Sequence, residues 1–524
     1  MIGKVFSTEG RHAGRNNIFR GTIILTLAGF LTRLIGFFYK IFLSNAMGTE
    51  WLGIYHLVFP VYGICFTIYA TGIQTSISRL VAGEMGMRNP KNAYKILRLG
   101  TFLSVMLAIL MSAIVYFNAD YIALRFLLEP RSAQSLKLLA IVFPFCGVTS
   151  CINGYYYGLK KASVPASTQL LEQLIRVLVV YLAALYAGKG DFRVTCEMAV
   201  LGIIIGEIAS SIYNLLSLCI TKSPKALLIQ GTDPAAKAMG RKVVFKNILG
   251  MSIPLSANRL LINILHSMEA VLIPTMLLRS GLNTSEALST FGVFNGMSMP
   301  FIMFPTAIIN ALAVLLLPTI SEAQALNNNK LIGKTTKISI KYSLIIGIVS
   351  TGLFVIFGKD FGNTVFHNAD AGSYLIALAW LCPFIYLTTT LGSILNGLGK
   401  AHITFINSVT GSLSKIILIA LFIPKLGITG YFIALLAGQL IITAMDTISV
   451  FKYIRFPFDA INSIAKPGII VVLTGFMIKR IFEFLQKITQ IHPAVLLLSS
   501  CLIFCVICAT LFIVTHTVSK KDIR

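Results

Sequence analysis

Eight charged residues stand within stretches that are otherwise apolar: Arg33, Glu172, Arg176, Glu207, Arg259, Glu269, Lys415 and Asp446. On insertion scales a charge at a membrane-helix centre costs about 2.5–3.5 kcal/mol, so each needs a partner, a cavity or an interface. Glu172 and Arg176 are four residues apart with the acid first, the favourable order for a pair along one helix. Glu207 and Asp446 occupy matching places in the two halves of the chain. Two roles fit them: neutralising Arg176 and Lys415, or coupling transport to a proton or ion. Arg33 and Arg259 have no acid four residues away.

Both arginines sit on small or polar stripes. Thr22, Thr26, Gly29, Arg33, Gly36 and Lys40 follow steps of four and three, as do Ser252, Ser256, Arg259, Asn263, His266 and Ala270. Such spacing draws one face of a helix. Arg20 precedes Arg33, and Lys246 precedes Arg259, by the same interval, so each arginine lies about 20 Å along its helix from a basic anchor. The expectation is that the two line a cavity between the halves of the molecule and hold an anion, since guanidinium matches phosphate through paired hydrogen bonds. The alternative is that the small residues serve close helix packing and the arginines meet acids across the bundle.

A second face carries His56, Pro60, Gly63, Thr67, Thr71, Gln74 and Ser78 and ends at Arg79, which reads either as a substrate contact or as an interfacial anchor. Asn295 takes the position of His56 in the second half. Pro60, Pro300 and Pro305 predict interrupted helices, which membranes tolerate where backbone is buried in protein or lines a cavity. The candidate substrate-binding set is therefore Arg33, Arg259, Arg79, His56, Asn263, His266 and Asn295. Glu172, Arg176, Glu207, Glu269, Lys415 and Asp446 form the candidate ion-coupling or charge network.

These residues need long apolar helices to hold them. The chain of 524 residues is 56% apolar and 12% charged, with a mean hydropathy of +0.82. A soluble domain has about twice that share of charge, and the apolar stretches here reach the twenty or so residues that cross a bilayer. A soluble enzyme, a disulfide scaffold and a disordered chain are excluded. The reading is an all-α polytopic membrane protein with about fourteen spans. The net charge of +25 is spread over loops rather than gathered in a basic domain, which excludes a nucleic-acid partner. The loops on the side of the N-terminus carry more than twice the Lys and Arg of the opposite loops, placing both termini in the cytoplasm. The first apolar stretch lacks a cleavage site and reads as a retained span. Nine cysteines, mostly within apolar segments, read as small apolar fillers rather than metal ligands.

The chain also repeats. Pro144 and Pro383, Gly158 and Gly397, Lys161 and Lys400, Gly53 and Gly292, Arg176 and Lys415, and Glu207 and Asp446 all share an offset of 239 residues. So many matches at one offset argue for duplication. With six spans per unit the halves share orientation, the parallel-repeat plan of many transporters. The predicted organisation is a cytoplasmic segment 1–20, a first lobe 21–220, a cytoplasmic loop 221–246, a second lobe 247–452, and two added helices with a cytoplasmic tail over 453–524.

Three segments, "FLTRLIGFFYKIFLSNAMGTEWLGIYHLVFP", "GYYYGLKKASVPASTQLLEQLIRV" and "FGVFNGMSMPFIMFPTAIINALAVLLLPTISEA", resemble the stage V sporulation protein B group of the multidrug/oligosaccharidyl-lipid/polysaccharide (MOP) flippase superfamily. The resemblance covers essentially the whole chain. It implies a MATE/MOP-like fold of two six-helix lobes plus two helices, and export of lipid-pyrophosphate-linked sugars, with the peptidoglycan precursor lipid II as one such cargo. Arg33 in "TRLIGF" matches the first cavity arginine of lipid II flippases. The arginine six residues later is Tyr39 here, and those of the second and eighth helices have no clear counterpart.

The resulting expectation is a monomeric flippase of the bacterial cytoplasmic membrane, serving cell-wall, spore-cortex or polysaccharide assembly by alternating access. It takes a lipid-linked anionic sugar, contacts membrane lipids, and has no catalytic residues, metal site or organic cofactor. Sodium, protons or the membrane potential would drive it. A multidrug cation antiporter shares the fold but calls for an acidic rather than an arginine-bearing cavity. A membrane-embedded transferase would need an acid–base constellation, and the longest loop offers Asp233 and lysines with no recognisable set.

Overall fold

The computed structural model describes residues 6–87, 89–187, 193–220, 239–454 and 456–518, with side chains described from residue 27 onward. Thr22 and Thr26 of the first stripe, the segment 1–20 as regards side chains, and most of the loop 221–246 with Asp233 therefore lie outside the described residues. What is described is 89% helical, with no strand among the described residues. Eleven helices are long and apolar enough to cross a membrane, or thirteen if each of two bent pairs counts as one span. The expected figure of about fourteen is not reached on this criterion. The helix Lys466–Ile488 occupies the expected thirteenth span but carries Lys479, Arg480, Glu483 and Lys487 among its apolar residues.

The duplication is visible in the elements themselves. Phe143–Gly158 and Cys382–Gly397 begin and end at the same offset of 239. Each follows a shorter helix across a bend, of 49° in the first half and 51° in the second. Pro90–Phe117 and Asn329–Val365 also start in register. Both are capped by an asparagine: Asn89 Oδ1 accepts from Asn92 N at 3.3 Å, and Asn328 Oδ1 from Leu331 N at 3.1 Å. These side chains satisfy amide donors that the first helical turn leaves unpaired.

Two repeat-matched glycines show why the motif glycines recur. A Cβ on Gly158 would stand 2.7 Å from the Ser78 carbonyl oxygen and 2.8 Å from Val81 Cβ. One on Gly397 would stand 3.1 Å from the Leu317 oxygen and 2.9 Å from Ile320 Cβ. Ser78 and Leu317, like Val81 and Ile320, are themselves 239 apart. The same helix crossing is built twice, each time on the one residue that permits it.

The chain forms two compact units, residues 1–39 with 54–271, and 40–53 with 272–524. These boundaries differ from those expected from loop positions. Lys40–Gly53 groups with the second unit, and the first thirty or so residues of the helix Arg241–Arg279 group with the first. Side-chain hydrogen bonds, not loops, decide the grouping. Ser252 Oγ donates to Ser76 Oγ at 3.0 Å, Ser256 Oγ to the Thr67 oxygen at 3.2 Å, and Ser267 Oγ to the Pro60 oxygen at 3.2 Å. In the second unit, Gly53 lies in backbone contact with Leu288 and Gly292, and Ser285 Oγ donates to Glu50 Oε2 at 2.6 Å.

The expected helix interruptions are present, though not where every proline stands. Pro60 lies inside the continuous helix Thr49–Phe66, and the irregular stretch is a π-helical turn at Thr67–Thr71. In the eighth span a π-helical turn, Val293–Ser298, precedes Met299–Met303, and the chain breaks at Phe304–Pro305 before Thr306–Ala325.

Candidate functional site

The seventh span shows how one helix divides two kinds of polar residue. Ser252, Ser256, Asn263 and Ser267 form a seam against the second span. Asn263 Nδ2 donates to the Gly63 oxygen at 3.2 Å and to Thr67 Oγ1 at 2.5 Å. Asn263, Ser252 and Ser256 thus take part in helix packing. The amide of Asn263 is half-buried, and an amide taken from water needs partners; the second span supplies them around its π turn. Arg259 and His266 flank the seam and remain exposed. His266 Nδ1 stands 3.7 Å from Glu269 Oε2, and the Glu269 side chain is largely buried.

Arg33 is exposed on the first helix, one turn before Gly36, where a Cβ would lie 3.4 Å from Gln173 Nε2. Among the described residues neither Arg33 nor Arg259 has a hydrogen bond or an ion pair, so the alternative of acids met across the bundle has no support there. Both belong to the same compact unit. By sequence repeat the two arginines belong to different halves; in the structure the half of the helix Arg241–Arg279 bearing Arg259 is bonded to the helix Thr49–Phe66 and its π turn.

Arg79 is exposed at the end of the polar face of the second span. His56 is half-buried, with its ring 5.5 Å from that of Tyr55 and 6.1 Å from that of Phe59. Asn295 is half-buried in the π turn of the eighth span and belongs to the second unit. The substrate candidates thus divide into accessible cations and His266, the packed Asn263, and the half-buried His56 and Asn295.

The charge network forms two separate centres. In the first unit Arg176 Nη2 is paired with Glu172 Oε1, each side chain about one-fifth exposed. Glu207 is buried on the next span, where Ser210 Oγ donates to its Oε2 at 3.5 Å. Gly206 brings the two spans together: a Cβ there would stand 2.9 Å from the Glu172 oxygen and 3.5 Å from Arg176 Cβ. In the second unit Asp446 is fully buried; its Oδ1 accepts from Asn407 Nδ2 at 2.8 Å, and its Oδ2 has no hydrogen-bond partner among the described residues. Lys415 is half-buried beside Gly438, where a Cβ would lie 2.7 Å from Lys415 Cβ. No group of three or more His, Cys, Asp or Glu converges as a metal site among the described residues.

Asn407 was not among the sequence candidates. Its signal was the repeat: it stands 239 residues after Thr168, whose Oγ1 donates to Asn214 Oδ1 at 2.9 Å.

Residues 18–324 match the family model described as polysaccharide biosynthesis protein. The chain belongs to this polysaccharide biosynthesis protein family. Among curated relatives of this family member, Stage V sporulation protein B of Bacillus subtilis (strain 168) is 23% identical over 90% of each chain. Lipid II flippase MurJ of the same organism is 18% identical over 88% of this chain and 87% of its own. In fold the chain is similar to an inward-facing multidrug resistance MATE family transporter of the MOP superfamily, with TM-score 0.63, 14% identity and coverage of 80% of this chain and 94% of that one. It is also similar to lipid II flippase MurJ in an inward closed conformation, with TM-score 0.61, 15% identity and coverage of 94% and 99%. The protein is therefore a multi-pass membrane protein of the MATE/MurJ-like fold.

Proposed function

We propose that this protein is a flippase that carries a lipid-pyrophosphate-linked sugar across the bacterial cytoplasmic membrane by alternating access, with both termini in the cytoplasm. The observation that carries the reading is the pair of accessible arginines, Arg33 and Arg259, which have no ion pair among the described residues. A guanidinium kept inside an apolar span without a counter-ion is costly unless a ligand supplies the charge, and pyrophosphate accepts the paired hydrogen bonds that guanidinium offers. Arg79 and His266, also accessible, extend the polar surface toward a sugar head group. The names of the curated relatives, a sporulation protein and a lipid II flippase, support the same cargo class.

The buried carboxylates Glu207 and Asp446 favour a second reading, a cation antiporter. Under the flippase reading they serve to couple transport to protons or sodium. Complementation of a strain lacking its lipid II flippases, with sugar-polymer export assayed in parallel, separates the two. Rescue of either wall synthesis or polymer export supports the flippase. Drug resistance without rescue of either supports the antiporter.

A further inference from the structure

The helix Pro90–Phe117 begins with a basic stripe that neither candidate centre uses. Lys91, Lys95 and Arg98 follow steps of four and three, and Lys330, Lys334 and Lys337 repeat them 239 residues later at the start of Asn329–Val365. Neither helix has an acid in its first turn. Lys91 and Lys330, in the first turn of their helices, oppose the helix dipole, and the like charges of each stripe favour an anion beside them.

The three basic residues of the first helix differ in their surroundings. Lys95 Nζ donates to the Met239 carbonyl oxygen. Lys91 and Arg98 are exposed, and Arg98 has no hydrogen bond or ion pair among the described residues. Arg98 also lines a cavity of about 380 Å³, with Tyr94 one turn nearer the helix start. From there Thr101, Phe102, Val105 and Met106 line it along the same helix, and Leu215 and Leu218 close its side. Eight residues separate Arg98 from Met106, about 12 Å of helix. Phe102 is 64% exposed and Met106 54%, so the groove opens on the apolar surface of the first unit. The counterpart in the second unit has an acid nearby: Asp459, whose carboxyl is held below its usual range chiefly by hydrogen bonds from Asn462 and also by Lys337 and Lys341.

From this geometry we infer that the groove is a binding site for an anionic phospholipid of the surrounding leaflet. The phosphate sits on the Arg98 guanidinium, with Lys91 adding charge about two turns outward, and one acyl chain lies along Thr101 to Met106. Charge complementarity selects the head group, and an arginine fork suits phosphate better than a point charge does. The occupant is a resident lipid rather than the transported one, because Arg98 stands near the helix start and the groove beneath it is apolar. The site does not depend on what the protein transports.

The test uses the purified full-length protein in detergent. Retention of phosphatidylglycerol, phosphatidylcholine and a polyprenyl phosphate is measured by native mass spectrometry. The expectation is preferential retention of phosphatidylglycerol, a fall of about tenfold in Arg98→Gln, and partial retention in Arg98→Lys. Thr101→Trp, which fills the groove and keeps the arginine, should lower retention as well; it carries the test if Arg98→Gln fails to fold. Equal retention of the two phospholipids, unchanged selectivity in Arg98→Gln or Thr101→Trp, or displacement of phosphatidylglycerol by polyprenyl phosphate at equal concentration would overturn the assignment.

Discussion

The helices Ser163–Ala187 and Cys196–Ile220 of the first unit and Ala401–Leu426 and Ile428–Tyr453 of the second descend from one design, yet they handle charge differently. In the first, Arg176 has an acid one turn earlier, Glu172, and a second acid, Glu207, on the adjacent span. In the second, the register of Glu172 is held by Gly411, and the acid Asp446 is bonded to an amide, Asn407, on the helix that bears Lys415. The glycines explain the exchange. The first unit brings its spans together with Gly202 and Gly206 on the later helix, which leaves the earlier helix free to carry Glu172. The second unit places glycines on both helices, Gly411 against Ile442 and the Gly438 oxygen and Gly438 against Lys415 Cβ. A glycine thus stands in the register of Glu172, and the two units hold a carboxylate paired with arginine and a carboxylate bonded to an amide.

The sharpest way to break this contrast is to remove the arginine. Arg176→Leu leaves Glu172 and Glu207 as neighbouring carboxylates and should destabilise the protein by about 3–5 kcal/mol, the range for uncovering one member of a buried pair. Adding Glu172→Leu should restore much of that loss in a double-mutant cycle. Thermal unfolding in detergent reads both variants. An Arg176→Leu variant as stable as the wild type, or no recovery in the double variant, would contradict the pairing.

Restoring the missing acid probes the packing explanation. Gly411→Glu should lower stability by roughly 1–3 kcal/mol, because a side chain there meets Ile442 and a backbone carbonyl before it can reach Lys415. A stabilised Gly411→Glu variant would show that glycine packing does not exclude the acid. A smaller effect separates the partners of the matched positions. Asn407→Leu leaves Asp446 without its described donor and should cost about 2 kcal/mol, whereas Thr168→Val should cost about 1 kcal/mol because Asn214 keeps its bond with Asn153. The two losses are read from the same unfolding measurement, and a reversed order would contradict the assignment of Asn407 as the partner of Asp446.

Transport probes the same pair of centres. If both carboxylates take part in coupling, Glu207→Gln and Asp446→Asn should each change the dependence of export on pH or sodium. An unchanged ion profile with normal export would make them structural.

Much of this architecture is legible in sequence because it depends on local pattern. Apolar length marks the spans, and a shared offset marks the repeat; Gly158 and Gly397 are found this way because their contacts lie 239 residues apart as well. The Glu172–Arg176 pair follows from helical periodicity. What the sequence conceals is which face of a helix meets which neighbour. Ser252, Ser256 and Asn263 share helical spacing with Arg259, yet the first three bond to the second span while Arg259 does not. Periodicity assigns residues to a face without naming the helix opposite. For the same reason the grouping of Lys40–Gly53 and residues 241–271 could not be read from loop positions: it goes with contacts between residues 200 to 235 positions apart.

The most direct measurement of the central claim is translocation of a lipid-pyrophosphate-linked sugar in proteoliposomes containing the purified protein, its Arg33→Ala and Arg259→Ala variants, and the corresponding lysine variants. Both arginines are exposed and have no ion pair among the described residues, so their replacement should leave the fold intact. Wild-type protein should move the lipid, each alanine variant should lose most of that activity at equal incorporation, and lysine should restore only part of it. Full translocation by both alanine variants would contradict the role assigned to the arginines, and no translocation by the wild type would contradict the assignment of this cargo.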